Sequence, residues 1–260
     1  MFDFFQPIRP ARAVQVMAHR GLKAEAPENT LPAFQKAIDA GVEWVEIDLR
    51  LTRDGHHVLL HDATLDRTTS GVGLISEMDL AALKILDAGA WFSPAYAGQR
   101  LLTHAEALDF CRGRINLYLD CKQADPARLV REICDAHMER QVVVFDGPER
   151  LEEVRTLSDG AVPVMPSINR RLEVGYWVDH LRPAAVEAHA HLLTPDLVAG
   201  FHDAGVIVQA QTLGPRDRPE VWRACFAMGM DWIQTDFPGE VLAELLDDRA
   251  EDPMSQTPPG

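Results

Sequence analysis

The sequence has no run of about 18 apolar residues, the length that a membrane-spanning helix needs. Its first residues carry no basic stretch followed by an apolar run, so we expect no signal peptide. Cysteine is scarce, and the four cysteines show no zinc-type spacing: Cys111, Cys121, Cys134 and Cys225. Scattered thiols in a chain of this length are typical of a reducing compartment, so we predict a cytoplasmic protein.

Basic residues are also few. The 260-residue chain has 25 Lys and Arg against 40 Asp and Glu, which gives a formal net charge of −15. Nucleic acids and anionic bilayers are bound by clustered Lys and Arg, so this charge argues against both as general partners. The hydrophobic content of 47% is ordinary for a globular protein and excludes a mostly disordered chain. We expect a small water-soluble ligand and no stable membrane association, and the oligomeric state stays open.

Short apolar runs alternate with amphipathic stretches along most of the chain. Eight runs are continuously apolar, as expected of strands buried on both faces: 14–18, 44–49, 115–119, 142–145, 162–165, 184–188, 206–210 and 232–234. Strands separated by helices form a parallel sheet, and eight of them favour a closed (β/α)8 TIM barrel over an open doubly wound sheet. We predict one α/β barrel domain over residues 1–246 and a flexible C-terminal tail over 247–260.

Prolines and a glycine mark the ends of the predicted helices. Helices are expected to begin near Pro126, Pro148, Pro195 and Pro219, because proline suits the first helical turn. An earlier helical pattern, within residues 27–41, ends at Gly41, a favourable residue at the end of a helix.

One segment departs from this alternation. The second apolar run continues through residues 48–62, and the Asp54-Gly55 pair at its centre signals a two-residue hairpin turn. Such a turn pairs residues whose numbers sum to 109, which places His61 opposite Asp48. We therefore expect a β-hairpin extension after strand two that returns a histidine to the end of that strand.

Acidic residues stand near the ends of two predicted strands. Glu46 and Asp48 are two positions apart, so both face the barrel mouth, and Asp120 belongs to the next barrel strand. Neighbouring carboxylates repel each other unless a cation lies between them or one is protonated. A hard divalent metal suits this set of oxygen ligands. The alternative is a salt-bridged cluster with Arg20 and Lys122.

Histidines and cations are expected at the same edge of the barrel. His19 and His61 are candidates for proton transfer, because imidazole titrates near neutral pH. Arg20 and Lys122 are candidates for binding an anionic phosphate. Near the ends of later strands lie two candidate contacts for an organic head group, Glu187 and Gln211.

These residues belong to an ordered series of motifs. The series is Ala18-His-Arg-Gly21, Pro27-Glu-Asn-Thr30, Glu46-Ile-Asp48, His61-Asp62 and Asp66-Arg-Thr-Thr69, with looser matches at Leu119-Asp-Cys-Lys122 and Thr235-Asp-Phe-Pro238. In this series the sequence resembles the glycerophosphodiester phosphodiesterases. The resemblance is dense over the first quarter of the chain and extends loosely to the end of the predicted barrel.

The resemblance implies a TIM-barrel hydrolase that converts a glycerophosphodiester to glycerol 3-phosphate and an alcohol, a reaction of lipid and glycerol metabolism. It implies that Glu46, Asp48 and Asp120 hold one divalent cation, Mg²⁺ or Ca²⁺, with Mn²⁺ as a further candidate. It also implies acid/base roles for the two histidines and phosphate contacts for Arg20 and Lys122. Which histidine is the base, and whether water or a substrate hydroxyl attacks, stays open.

Two positions depart from the family pattern. The third metal-binding acid is usually glutamate, and the shorter Asp120 would hold an ion more loosely or through water. A tryptophan usually stands where this chain has Gln211, so the alcohol moiety of the substrate stays open. The alternatives are a phospholipase C-like or sphingomyelinase D-like phosphodiesterase acting on another head group, and a non-catalytic barrel that binds phosphate esters.

Overall fold

Eight parallel strands form the wall of a barrel in the computed structural model, which describes residues 4–9 and 12–251. They are β1 (Gln15–His19), β2 (Trp44–Leu51), β4 (Asn116–Cys121), β5 (Val142–Phe145), β6 (Val164–Met165), β7 (Ala185–His189), β8 (Ile207–Gln211) and β9 (Trp232–Thr235), while β3 (His57–Leu59) pairs with β2 alone. The strand order is β6-β5-β4-β2-β1-β9-β8-β7, and a parallel bridge between Ser167 and Glu187 joins the two ends. The predicted TIM barrel with a hairpin extension after strand two is confirmed.

Helices connect the strands and cover the barrel. They are α1 (Leu31–Ala40), α2 (Leu80–Leu83), α3 (His104–Cys111), α4 (Pro126–Asp135), α5 (Pro148–Leu157), α6 (Val174–Leu181), α7 (Pro195–Asp203), α8 (Pro219–Ala227) and α9 (Pro238–Glu251). Four helices begin at the predicted prolines, and α1 ends at Gly41, whose φ of 83° is left-handed. In the described part of the chain, no helix combines the length and apolarity needed to cross a bilayer.

The C-terminal boundary differs from the predicted one. Helix α9 runs to Glu251, so its backbone continues past residue 246, where the tail was expected to begin. Residues 252–260 of the predicted tail lie outside the described residues.

Apolar side chains fill the barrel from the inside as well as covering it. Each barrel strand contributes one residue to an interior cluster: Met17, Trp44, Tyr118, Val143, Met165, Ala185, Ile207 and Trp232. The rings of Trp44 and Trp232, which begin β2 and β9, lie 4.4 Å apart at their centroids, and Phe5 packs edge-on against both. Aromatic rings therefore close the amino end of the barrel, which leaves the carboxyl end for polar side chains.

The hairpin register differs from the predicted one by a single residue. Leu49 pairs with Leu59 and Leu51 with His57, so the paired numbers sum to 108. The loop has three residues, because the Thr52 N–H donates to the carbonyl of His56 and Gly55 has a left-handed φ of 80°. Asp48 therefore faces Leu60, and His61 follows one residue later.

A buried polar cluster attaches the hairpin to the helices outside the barrel. The Nδ1 atoms of His57 and His104 each lie 2.8 Å from the same oxygen of Glu132, and Arg128 donates to its other oxygen at 2.7 Å. A carboxylate only accepts hydrogen bonds, so both imidazoles donate from Nδ1. His57 Nε2 in turn accepts the N–H of Asp125. The cluster therefore links β3, α3 and α4.

We predict that Glu132→Gln lowers the free energy of unfolding by about 2–4 kcal/mol, because it removes the anionic acceptor of three charge-assisted hydrogen bonds. Urea denaturation followed by circular dichroism measures this change. Glu173→Gln is the matched control, because the Arg171–Glu173 pair is exposed and should contribute at most about 1 kcal/mol. Equal stability of the two variants would contradict a structural role for the cluster.

Candidate active site

The carboxyl ends of β1, β2 and β4 bring the predicted acidic residues together. The strand register sets His19 beside Glu46 and Asp48 beside Asp120. Carboxylate oxygens of Glu46, Asp48 and Asp120 all lie within 4.8 Å of one another. Between the two strand-two acids, Ile47 points outward into the core shared with the helices, as the alternation predicts.

The environment of these carboxylates disfavours three negative charges without a counter-ion. Glu46 and Asp48 are buried. Burial, followed by the charges of Asp48 and Asp120, raises the pKa of Glu46 well above its ordinary value, and burial also raises the pKa of Asp120. Among the described residues, Asp48 Oδ1 has no hydrogen-bond partner. The set therefore has both the oxygen donors and the uncompensated charge that a hard divalent cation would satisfy.

Two cations already neutralise part of this charge. Arg20 Nε lies 3.2 Å from Asp48 Oδ2, while its Nη1 donates to Glu28 at 3.0 Å. Lys122 pairs with Asp120, and its Nζ lies 3.4 Å from Asp48 Oδ1. The ion pairs expected under the alternative reading are thus present, and they hold both predicted phosphate-binding cations at the acidic cluster.

The loop after β1 adopts an uncommon backbone conformation that serves the same cluster. Arg20 has a left-handed φ of 61°, and its N–H donates to Glu46 Oε2 at 2.9 Å. Gly21 follows with a φ of 80°, and a Cβ there would lie 2.8 Å from the Cβ of Ala33 on α1. Only glycine allows this close approach, which sets the direction in which Arg20 leaves the strand.

His19 has a fixed hydrogen-bond partner. Its Nδ1 lies 2.6 Å from Asp236 Oδ1, an oxygen that also accepts from Lys23 Nζ at 2.7 Å. Because the carboxylate only accepts, Nδ1 carries the proton and the Nε2 lone pair faces Glu46, 3.9 Å away. Burial, reinforced by the charges of Lys23 and Arg20, lowers the pKa of His19. Hydrogen bonds from His19 and Lys23 outweigh burial and lower the pKa of Asp236 to about 2.

His61 approaches the cluster from the hairpin. Its Nδ1 lies 2.7 Å from Asp62 Oδ1, and Arg67 holds Asp62 with a hydrogen bond from Nε at 2.7 Å. The guanidinium of Arg50 donates to the carbonyl of His61, which fixes the backbone there. Each predicted acid/base histidine therefore has an aspartate on Nδ1. The side chain of His61 is 35% exposed, compared with 11% for His19.

Three residues at the site had no role assigned from the sequence. Asn29 donates from Nδ2 to Asp48 Oδ2 at 2.9 Å, and its Oδ1 accepts the N–H of Asp48 at 3.3 Å. Asp236 and Asp62 orient the two histidines. All three belong to quoted motifs, Pro27-Glu-Asn-Thr30, Thr235-Asp-Phe-Pro238 and His61-Asp62, so the motifs were the signal that pointed to them.

The two candidate head-group residues occupy different environments. Glu187 is 2% exposed and lies inside the barrel, where it accepts a hydrogen bond from the Tyr118 hydroxyl at 2.7 Å. Burial raises the pKa of Glu187 to about 7. Gln211 is half-buried at the carboxyl end of β8, in register with His189. This placement supports a head-group contact for Gln211 but not for Glu187.

Comparison with known proteins gives a consistent match. A family model for the glycerophosphoryl diester phosphodiesterase family matches residues 19–240. The chain is 55% identical to a probable glycerophosphodiester phosphodiesterase 1 of Mycobacterium tuberculosis, over 90% of this chain and 93% of that protein. It is 31% identical to a glycerophosphodiester phosphodiesterase of Caldanaerobacter subterraneus, over 89% and 97% of the two chains.

Solved structures show the same similarity. The crystal structure of a glycerophosphodiester phosphodiesterase from Agrobacterium tumefaciens matches with a TM-score of 0.81 and 26% identity, over 88% of this chain and 99% of that one. An Oleispira antarctica phosphodiesterase in complex with the product sn-glycerol-3-phosphate matches with a TM-score of 0.76 and 27% identity, over 89% and 96%.

We predict that Asn29→Asp lowers the free energy of unfolding by about 1–3 kcal/mol, because it replaces the amide donor to Asp48 with a second carboxylate. Asn29 has a left-handed φ of 56°, a conformation that aspartate also tolerates, so the backbone preference is retained. Asn29→Gly is the control that keeps the backbone conformation and removes the side chain without adding charge. Wild-type stability of Asn29→Asp in thermal denaturation would contradict this account.

Proposed function

Because the chain belongs to the glycerophosphoryl diester phosphodiesterase family and is therefore a phosphoric diester hydrolase, we propose that it hydrolyses a glycerophosphodiester to glycerol 3-phosphate and an alcohol. The observation that carries the proposal is the position of His19, whose Nε2 faces three clustered carboxylates while Asp236 holds its Nδ1. The product seen in the Oleispira antarctica relative supports the same reaction.

We assign Glu46, Asp48 and Asp120 as the ligands of one divalent cation, Mg²⁺ or Ca²⁺, with Mn²⁺ as a further candidate. The unpartnered Oδ1 of Asp48 and the raised pKa of Glu46 support this assignment, because both express a deficit of positive charge. When bound, such a cation stabilises the negative charge that builds on the phosphoryl oxygens in the transition state.

Arg20 and Lys122 have two successive tasks in this proposal. Before substrate binds, they neutralise Asp48 and Asp120, which keeps the acidic cluster from repelling an anion. With substrate present, they bind its phosphate, Arg20 as a planar fork and Lys122 as a point charge. Both side chains are already held at the cluster by their ion pairs, so little conformational entropy is lost on binding.

The environments of the two histidines support a division of the proton transfers. His19 is nearly buried, which disfavours imidazolium, and its Nε2 lone pair faces the cluster, so it removes the proton from the attacking hydroxyl of water or substrate. His61 is more exposed and lies beside Asp62, whose negative charge stabilises imidazolium. We therefore assign His61 as the acid that protonates the leaving alcohol.

Gln211 is the proposed contact for the alcohol part of the substrate. It lies at the carboxyl end of β8, where the family usually has tryptophan, and an amide provides a donor and an acceptor for polar head groups. The alcohol preference is therefore expected to differ from that of relatives with an aromatic residue at this position.

A panel of glycerophosphocholine, glycerophosphoethanolamine and glycerophosphoinositol tests the reaction and its metal dependence. We expect EDTA to abolish release of glycerol 3-phosphate and added Mg²⁺, Ca²⁺ or Mn²⁺ to restore it. Asp120→Asn should raise the metal concentration needed for half-maximal activity, and Gln211→Ala should change the ranking of the three substrates. Full activity in EDTA would contradict the metal assignment, and no hydrolysis across the panel would contradict the proposed reaction.

Leaving-group dependence separates the two histidines. We expect His19→Ala and His61→Ala each to lower kcat by about 10²–10⁴-fold on glycerophosphocholine. On a glycerophosphodiester whose leaving group is p-nitrophenol, which departs without protonation, His61→Ala should recover most of its activity while His19→Ala should not. His180→Ala, on the outer helix α6, is the control and should match the wild type on both substrates. Recovery by His19→Ala instead would reverse the assignment.

A further inference from the structure

A buried carboxylate behind the site accepts four hydrogen bonds. Oδ1 of Asp217 accepts from the hydroxyls of Thr212 at 2.9 Å and Thr235 at 2.7 Å and from the indole N–H of Trp222 at 2.8 Å. Its Oδ2 accepts the backbone N–H of Asp236 at 2.6 Å. The donors come from the segment after β8, from the end of β9 and its next residue, and from α8. One side chain therefore fixes three elements behind the mouth.

The contact with Asp236 connects this network to the proposed chemistry. The side chain of Asp236 accepts the Nδ1–H of His19, so the backbone N–H of the same residue is held by Asp217 while its carboxylate holds the histidine. We propose that Asp217 is a positioning residue for His19, acting through Asp236. This inference rests on the proposed function, because it concerns the same proton transfer.

The local backbone shows why Asp236 needs such support. Strand β9 ends at Thr235, the last residue of that strand in register with β1, and α9 begins only at Pro238. Between them, the Asp236 N–H bonds the Asp217 side chain, and the Phe237 N–H bonds the Thr235 hydroxyl at 2.9 Å. Neither of these two N–H groups is part of the sheet, so side chains determine where the Asp236 carboxylate points.

A displaced Asp236 would affect His19 in a specific way. Imidazole has two tautomers and a broad ring torsion, and the carboxylate on Nδ1 selects the tautomer whose Nε2 lone pair faces Glu46. Lys23 also depends on this carboxylate, because its Nζ lies 2.7 Å from the same oxygen. Loss of the Asp217 contact should therefore reduce the fraction of enzyme with a competent base, while substrate affinity stays the same.

A second aspartate on the same strands provides a matched control. Asp231 lies immediately before β9, and its Oδ2 accepts the N–H of Val208 and a hydrogen bond from His202, both at 2.8 Å. It therefore joins β8 to β9 at the amino end of the barrel, whereas His19 lies at the carboxyl end. Asp231→Asn and Asp217→Asn remove the same chemical group from the same strand pair, at opposite ends.

The experiment compares Asp217→Asn, Asp231→Asn, Asp236→Asn and the Asp217→Asn/Asp236→Asn double variant. We expect Asp217→Asn to lower kcat by about 10–100-fold at nearly unchanged KM, and Asp231→Asn to keep the wild-type kcat. The double variant should be no slower than Asp236→Asn alone, because both changes act on His19 by one route. In ¹⁵N NMR of the imidazole, Asp217→Asn should lower the population of the Nδ1–H tautomer of His19.

Several outcomes would overturn the inference. A wild-type kcat in Asp217→Asn, or additive losses in the double variant, would make Asp217 a structural residue only. If Asp217→Asn does not fold, Thr235→Val removes one Asp217 hydrogen bond and the acceptor of the Phe237 N–H, and it should also lower kcat without additivity to Asp236→Asn. His19→Ala in the same assay separates the two hypotheses, because full turnover there contradicts the proposed function, whereas its loss beside a fully active Asp217→Asn contradicts only the role of Asp217.

Discussion

Three carboxylates buried within 4.8 Å of one another are the constraint on which the rest of the site depends. Their mutual repulsion is offset on every side by donors: the Arg20 N–H on Glu46, the Asn29 amide on Asp48, and Lys122 on Asp120. Two of these donors require left-handed backbone at Arg20 and Asn29, a conformation that costs about 1 kcal/mol per residue. The cost is acceptable only because removing any of these donors would leave a buried charge without compensation.

The same constraint explains how a chain with a net charge of −15 can act on an anion. The net charge is a property of the whole chain, but the cations near the site are concentrated: Arg20, Lys23, Arg67 and Lys122 all pair with acids at this mouth. Most of these pairs are partly shielded from water, so they are screened less than surface pairs. The local field is therefore set by a few fixed side chains and differs from the average over the chain.

The parts of this structure that sequence could predict are those encoded by local patterns. Continuous apolar runs and proline-started helices depend on neighbouring residues, which is why the strands, the helix starts and the barrel were predictable. The hairpin register was wrong because a two-residue and a three-residue loop can share the Asp54-Gly55 pair. Glu187 was misplaced because its partner, Tyr118, lies 69 residues away across the barrel interior. Asp217 was missed for the same reason, since its partners Thr235 and Asp236 lie beyond the next helix.

The two histidines differ in what holds their aspartates, and that difference suits their proposed tasks. Asp236 is fixed by the barrel itself, through the Asp217 network at the ends of β8 and β9, so His19 has a rigid setting. Asp62 is fixed by Arg67, which also binds Glu28, so His61 rests on exposed ion pairs of the segment after the hairpin. Attack on phosphorus has the same geometry for every phosphodiester, whereas the leaving alcohol varies. A rigid base and a more accessible acid therefore match the invariant and the variable halves of one reaction.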